Sequence, residues 1–318
     1  LKRLLMCILL VLMIVSTACA PVARRLQQVQ KPPIPEKISR GEDKEPVLKV
    51  YVKQAGKVEE MPVEDYVMGT VAGEIKNDWP MAALKAQAIL ARTYVLDFVN
   101  TKKSKYEGAD ISTDFEEAQA WNEANINDRI KRAVSDTRGE VAVYRGNYIK
   151  AWFFSHAGGM TATAKEGLNY KGENPPYIQV VKSPETPRAK PEDAEWTASF
   201  SKQEVLDALS KMGAGVSDFT EVRVAARGPS GRATVLSFDG VPVNAPDFRV
   251  AIGSGKMRST LLESLRFDGN TLTMRGKGFG HGVGMSQWGA YGLAEQGKTA
   301  EEIIKYYFKG VDIVRMWE

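Results

Sequence analysis

Cysteine is nearly missing from this chain. Of its 318 residues only Cys7 and Cys19 carry a thiol, and both precede residue 20. The remaining sequence can build neither a disulfide nor a thiolate metal site. Histidine is as scarce, with His156 and His281 alone, and no HExxH pattern exists. The usual zinc ligand sets are therefore absent, and we expect no metal and no cofactor. Charge of one sign is also missing. Lys and Arg total 43 against 39 acidic residues, a formal charge of +4 with no basic arm or stripe. That balance carries no nucleic-acid signature, so no nucleic-acid partner is expected.

Long apolar runs are lacking too. One runs from Leu4 to Val15, too short for a membrane span. Lys2 and Arg3 precede it and Ser16-Thr17-Ala18-Cys19 follows, which together describe an export signal over residues 1–19. Small residues before Cys19 point to the lipoprotein type, with simple signal cleavage as the alternative. The expected location is the cell envelope, periplasm or outer surface, with a lipid anchor at Cys19 tying the chain to the membrane. Losing Lys2 and Arg3 takes the formal charge from +4 to about +2.

Residues 20–46 are rich in proline and charge, lack apolar periodicity and are expected to form a flexible tether. A folded body is expected over 47–318. Val47–Val52 predicts a strand. Pro62, with Glu64 and Asp65, opens a helix reaching about Ile75, and Asp78-Trp79-Pro80 makes a corner. A second helix is expected from about Met81 to Val99, with Leu84, Ala88, Ala91, Val95 and Phe98 as its core stripe. Residues 101–120 predict a loop, Ile126 to Val134 a helix ended by Gly139, and 140–154 a β-hairpin. Residues 183–195, proline-rich and charged, predict a surface insertion, and 183–250 an inserted subdomain. Ser201 and Glu204 form a capping box; strands near 219–226 and 232–238 and two closing helices follow. The irregular alternation favours an α+β fold of mixed helices and antiparallel hairpins around a groove.

Within the first helix, Glu74 shares an apolar face with Val67 and Val71. A carboxylate on a face meant for burial costs free energy unless it is paired or used, and burial raises its pKa as a proton donor requires. Gly69 and Gly73 lie on the same helix, although glycine costs about 1 kcal/mol there relative to alanine. They mark the close approach of a ligand or of another backbone. Lys85 and Arg92 share one face of the second helix, Gln87 and Tyr94 another; a polyhydroxylated acidic ligand suits them, and a solvated helix face is the alternative. Gly276 to Ala290 forms a glycine-dense strand-to-helix segment without a G-x-G-x-x-G or phosphate-loop pattern. Its bare backbone, with His281, Ser286 and Gln287, suits sugar hydroxyls and acetamides, unless the histidine only braces a tight turn. Ser155 and His156 point to opposite sides of a strand and make no nucleophile–base pair by themselves.

Together the segments MPVEDYVMGTVAGEI, WPMAALKAQAILARTYVL, FFSHAGG, PYIQVVKSP and GFGHGVGMSQWGAYGLAEQGKTAEEIIKYYF resemble the sporulation stage II protein D family of peptidoglycan lytic transglycosylases and amidase enhancers. The resemblance spans about 48–314. It implies action on cell-wall glycan, with Glu74 as the catalytic acid. Zinc, held in some members through cysteines and a histidine before a glutamine, is not carried over, because Asp110 to Gln119 has neither residue type. The expected reaction cleaves the bond between N-acetylmuramic acid and N-acetylglucosamine to a 1,6-anhydro product. Lys85, Gln87, Arg92, Tyr94, Gln119, Ser155, His281, Ser286 and Gln287 are expected to bind the strand. A hydrolase using Asp65 or Asp114 to activate water is the neighbouring alternative. A non-catalytic, glycan-binding enhancer of a cell-wall amidase is the rival of another class.

Overall fold

The computed structural model describes residues 30–318. The export signal, Cys19 and residues 20–29 of the expected tether lie outside the described residues. Among the described residues, no helix is long and apolar enough to cross a membrane.

The body opens with strand β1 (Val47–Val52), strand β2 (Lys57–Pro62) and helix α1 (Val63–Glu74). Pro62 fixes the backbone angle of the residue before the helix, and Glu64 and Asp65 sit in its first turn, where the helix dipole favours negative charge. Helix α2 (Met81–Thr101) follows the Trp-Pro corner. The expected stripe of Leu84, Ala88, Ala91, Val95 and Phe98 is buried, and so are Ala83, Ala86, Leu90 and Leu96. Apolar residues on all sides make α2 a central helix instead of a one-faced surface helix. Packed around it are α1, helix α3 (Asp128–Asp136) and strand β4 (Glu140–Tyr144), and from the C-terminal end helices α8 (Gln287–Glu295) and α9 (Ala300–Tyr307).

The sheets around this bundle are small. β1 pairs antiparallel with β2 and parallel with a two-residue strand β3 (Ile111–Ser112), which interrupts the expected loop. The expected hairpin after Gly139 is shorter than its sequence. Strand β5 (Asn147–Tyr148) pairs with β4, whereas β6 (Phe153–Phe154) leaves to pair in parallel with β13 (Met285–Ser286). That exchange brings the glycine-dense segment beside the strand preceding Ser155.

A second apolar core runs from Trp196 to Met274. It is built on strand β7 (Glu195–Ser201) and a meander of β8 (Val222–Arg227), β9 (Ala233–Phe238) and β10 (Val241–Asn244). Short helices α4 (Ala164–Leu168) and α5 (Pro191–Ala194) precede it, and strands β11 (Leu262–Phe267) and β12 (Thr271–Lys277) complete it. Its own helices are α6 (Lys202–Lys211), started by the capping box of Ser201 and Glu204, and α7 (Ala245–Ile252). The expected boundary at residue 250 falls inside this unit, because β12 returns to pair along the whole of β7 and closes it.

Two further expectations are corrected. The tether does not extend to residue 46: Ile38 is buried in the first core, and the Glu45 carboxylate accepts the Glu64 backbone N–H at 2.9 Å. Nor is all of 183–195 a surface insertion: residues 187–192 are mostly exposed, but 183–186 are not. Ser183 and Thr186 are buried, the Ser183 hydroxyl meets Tyr307 Oη at 3.0 Å, and Thr186 donates to Glu295 at 2.9 Å. Composition predicts exposure for such a segment, but here its polar groups find partners on α8 and α9, which removes the cost of burying them.

Candidate active site

Glu74 is the last residue of α1, and the chain turns extended at Ile75. The Trp-Pro corner then folds back, so that Glu74 heads a cavity of about 410 Å³. One wall is the corner itself, from Lys76 to Trp79; another is Lys190 and Asp193; the third is Ser155, Gln287 and Trp288. Five separated stretches of sequence, Asn125 among them, therefore converge on one carboxyl group.

The segment after Gln119 seats that carboxyl. The Ala120 backbone N–H donates to Glu74 Oε1 at 2.7 Å. It can come so near because α1 presents glycines there: a Cβ on Gly73 would stand 2.6 Å from the Ala120 carbonyl carbon, and one on Gly69 would collide with the Trp121 indole. The close approach marked by the two glycines is thus to another backbone stretch and its tryptophan. The Asn122 N–H, donating to the Gly69 carbonyl at 2.9 Å, fastens the segment along the helix.

Gln287 reaches Glu74 from the opposite side, its Nε2 at 3.5 Å from Oε2. Ser286, the residue before it, caps α8 by accepting the Gly289 N–H at 3.2 Å. The same hydroxyl donates to Glu185 at 3.0 Å. Burial pushes the Glu74 carboxyl up to about 7, against the lowering pull of the Ala120 and Gln287 donors. Among the described residues no cation bonds to it. Near neutral pH, Glu74 is divided between its neutral and ionised forms, as a group that must both give and take a proton requires.

The floor is aromatic. Trp79 and Trp288 lie 4.5 Å apart between ring centroids, and Tyr291 backs both at 5.2 and 5.7 Å. Asp193 tethers this platform to the wall, receiving the Trp288 indole N–H at 3.3 Å and the Arg258 guanidinium at 2.8 Å. Flat apolar rings beside hydrogen-bonding edges suit the C–H faces and hydroxyls of a sugar.

The structure brings some expected binding residues to Glu74 and leaves others elsewhere. Ser155 and Gln287 line the cavity. Gln87 is fully buried behind it, its Oε1 3.5 Å from Gln287 Nε2, and its own Nε2 has no protein partner. Gln119 is buried beside Ala120 with neither end of its amide paired. Tyr94 is half-buried with its ring near Phe98, outside the cavity lining, and burial holds its hydroxyl at about 12. His281 is likewise outside. Its Nδ1 accepts the Val283 N–H at 3.0 Å, and burial, with the nearby Arg249 and Arg232, pushes the imidazole down to about 3. A neutral ring held to its own turn is the brace that the sequence left open as one alternative.

Lys85 and Arg92 do not reach the cavity. Lys85 pairs with Asp136 at 2.8 Å on the side of α3. Arg92 is wholly buried, donating from Nε to Glu64 Oε1 at 3.0 Å and from Nη1 to the Glu140 carbonyl at 2.9 Å. Seven-residue spacing puts two side chains on one helix face but cannot say what that face meets; here it meets α1 and α3. Of the two acids considered for a hydrolase, Asp114 is engaged by Lys53, Lys105 and Tyr106, which hold its carboxyl well below the usual range. Asp65 lines a separate groove of about 1190 Å³. The acids that do share the cavity with Glu74 are Asp78 and Asp193. Sequence reasoning missed these two, together with Lys76, Lys190, Asn77, Asn125, Trp79 and Trp288. The tryptophans beside the Pro80 corner and beside Gln287 were the available signal.

Known proteins share much of this sequence. A family model described as Stage II sporulation protein matches residues 51–144, a stretch that includes Glu74 and the Ala120 donor. An uncharacterized protein of Brachyspira hyodysenteriae is 36% identical over 261 residues, 81% of this chain and 68% of its own length. Stage II sporulation protein D of Bacillus amyloliquefaciens is 34% identical over 289 residues, 85% of this chain and 81% of its own. The amidase enhancer of Bacillus subtilis is 26% identical over 298 residues, 77% of this chain but 40% of its own.

Proposed function

We propose that this chain, which belongs to the Stage II sporulation protein D family, is an exported lytic transglycosylase that cuts peptidoglycan glycan strands with Glu74 as its single acid and base. The observation that carries the reading is the environment of that carboxyl: half-buried at the head of an aromatic-floored cavity, pushed up to about 7, with two N–H donors and, among the described residues, no cation bonded to it.

The reaction uses the two protonation states in turn. Neutral Glu74 gives its proton to the glycosidic oxygen as the bond from that oxygen to C1 of N-acetylmuramic acid breaks, and positive charge develops on the sugar. The carboxylate left behind accepts the Ala120 and Gln287 donors, which favour the ionised form. It then takes the proton of the substrate's own C6 hydroxyl as that oxygen bonds to C1. The 1,6-anhydro ring closes, Glu74 regains its proton, and no water is consumed. Because the nucleophile comes from the substrate, no second acid is needed, and Asp193 remains committed to Trp288 and Arg258. Proton transfer of this kind contributes typically about 10²–10⁴-fold.

Mass spectrometry of sacculi digested by the wild-type chain and by Glu74→Gln tests the reading. Anhydro ends from the wild type, and none above background from the variant, are expected. Reducing ends would make the enzyme a hydrolase. Binding to sacculi without new glycan ends from either chain would make it an accessory of a separate amidase.

A further inference from the structure

Two lysines in the cavity have no assigned work. Lys76 follows Ile75 on the corner, and Lys190 stands on the opposing wall; both line the space that Glu74 heads. Among the described residues neither lies within 4.0 Å of a carboxylate, while most other lysines of the body, Lys85 and Lys150 among them, do. The remaining charges of the cavity are Glu74, Asp78 and Asp193. Asp193 is neutralised by Arg258 at 2.8 Å, and Glu74 is divided between its two forms near pH 7. Exposed Asp78 alone opposes the two cations. Both lysines are exposed at the rim of an open cleft, so their surplus positive charge draws anions through a solvent-screened field that reaches about one Debye length.

We propose that Lys76 and Lys190 form a carboxylate-recognising pair, which selects glycan bearing a carboxylate next to the sugar held at Glu74. The inference rests on the glycan-cleaving reading above and deepens it. Two sources could supply this chemistry: the lactyl group of muramic acid once its peptide has been removed, or an acidic residue of a peptide still attached. An ammonium group is a point charge without a planar fork, so the pair acts through field and reach instead of bidentate geometry.

Binding, measured by calorimetry in the full chain carrying Glu74→Gln so that nothing is consumed, tests the pair. The probes are a muramic-acid oligosaccharide with a free lactyl carboxylate, the same oligosaccharide carrying a peptide with acidic groups, and an uncharged N-acetylglucosamine oligomer. Adding Lys76→Ala and Lys190→Ala should weaken the better of the two acidic probes roughly tenfold at low salt, from two exposed pairs. The uncharged oligomer should bind unchanged, and the difference should fade toward 0.5 M salt, where a Debye length of about 4 Å screens the pair. Asp78→Asn should act in the opposite direction. Which acidic probe responds more identifies the source of the carboxylate. Equal losses for charged and uncharged probes, or no loss for either acidic probe, would overturn the pair while leaving the glycan reading standing. Failure of all three probes to bind would remove both.

Discussion

Gln287 Nε2 stands 3.5 Å from Glu74 Oε2 and the same distance from Gln87 Oε1, so the amide bridges the acid and a fully buried neighbour. Gln87 touches no open space and acts only through Gln287, by fixing which way its N–H points. The bridge links residues 213 positions apart in the chain, drawing α8 onto the end of α1.

The first prediction concerns the pH profile. The donor from Gln287 favours ionised Glu74, and burial opposes it. Removing the donor with Gln287→Leu should raise the carboxyl above 7. The acid form then persists further, so the alkaline limb of kcat/KM should move to higher pH as maximal activity falls. Gln87→Leu should move the limb the same way by less. Rates on sacculi between pH 5 and 9 provide the check, and an unmoved limb would mean that Gln287 does not set the acidity of Glu74.

A second prediction follows from linkage. The folded-state pKa of Glu74, about 7, lies above its ordinary value of 4.5. The folded chain therefore holds the proton more tightly, and stability is lost as pH rises from the unfolded value through the folded one. Glu74→Gln should be more stable than the wild type at pH 8, by on the order of 1–3 kcal/mol, with the gap closing near pH 5. Urea denaturation at both pH values measures this.

Third, the glycines of α1 hold the site through backbone contact. Gly73→Ala puts a methyl group against the Ala120 carbonyl carbon, a backbone atom that cannot swing aside. Destabilisation of about 1–3 kcal/mol is expected. The displaced Ala120 N–H should release Glu74, leaving activity low even where the chain remains folded. Near-native circular dichroism alongside a large fall in kcat would be the signature.

Arg92 and Lys85 supply a fourth, contrasting pair. Glu64 accepts from Arg92, from the Gly139 N–H at 3.0 Å and from the Trp317 indole at 3.0 Å, all within the protein. Arg92→Ala leaves that carboxylate buried without its cation and should cost roughly 3–5 kcal/mol. Lys85→Ala breaks a partly exposed pair and should cost under about 1 kcal/mol. Neither should alter kcat at temperatures where both variants stay folded, because neither side chain lines the cavity.

Much of the local architecture was legible in advance. The helix from Val63, the Trp-Pro corner, the long second helix and the capping box of Ser201 follow from backbone restriction, periodicity and side-chain caps, all local effects. The same signals misjudged segments whose fate depends on distant partners. Residues 183–186 open a segment of surface composition but lie against α8 and α9, and Ile34 and Ile38 fasten a stretch with a linker's composition to the core. Spacing placed Arg92 beside Lys85, but α1 and α3 determined that neither faces a ligand.

By itself, the sequence determined that one carboxylate would sit at the end of an apolar helix face, with two glycines beneath an approaching neighbour. Those features depend on residues within a few positions of one another, where helical geometry is fixed. Only the tertiary structure decided that this carboxyl would hold its proton near neutral pH, because desolvation is produced by everything packed around a group. Gln287, Trp288 and Asp193, which complete the cavity, arrive from far along the chain.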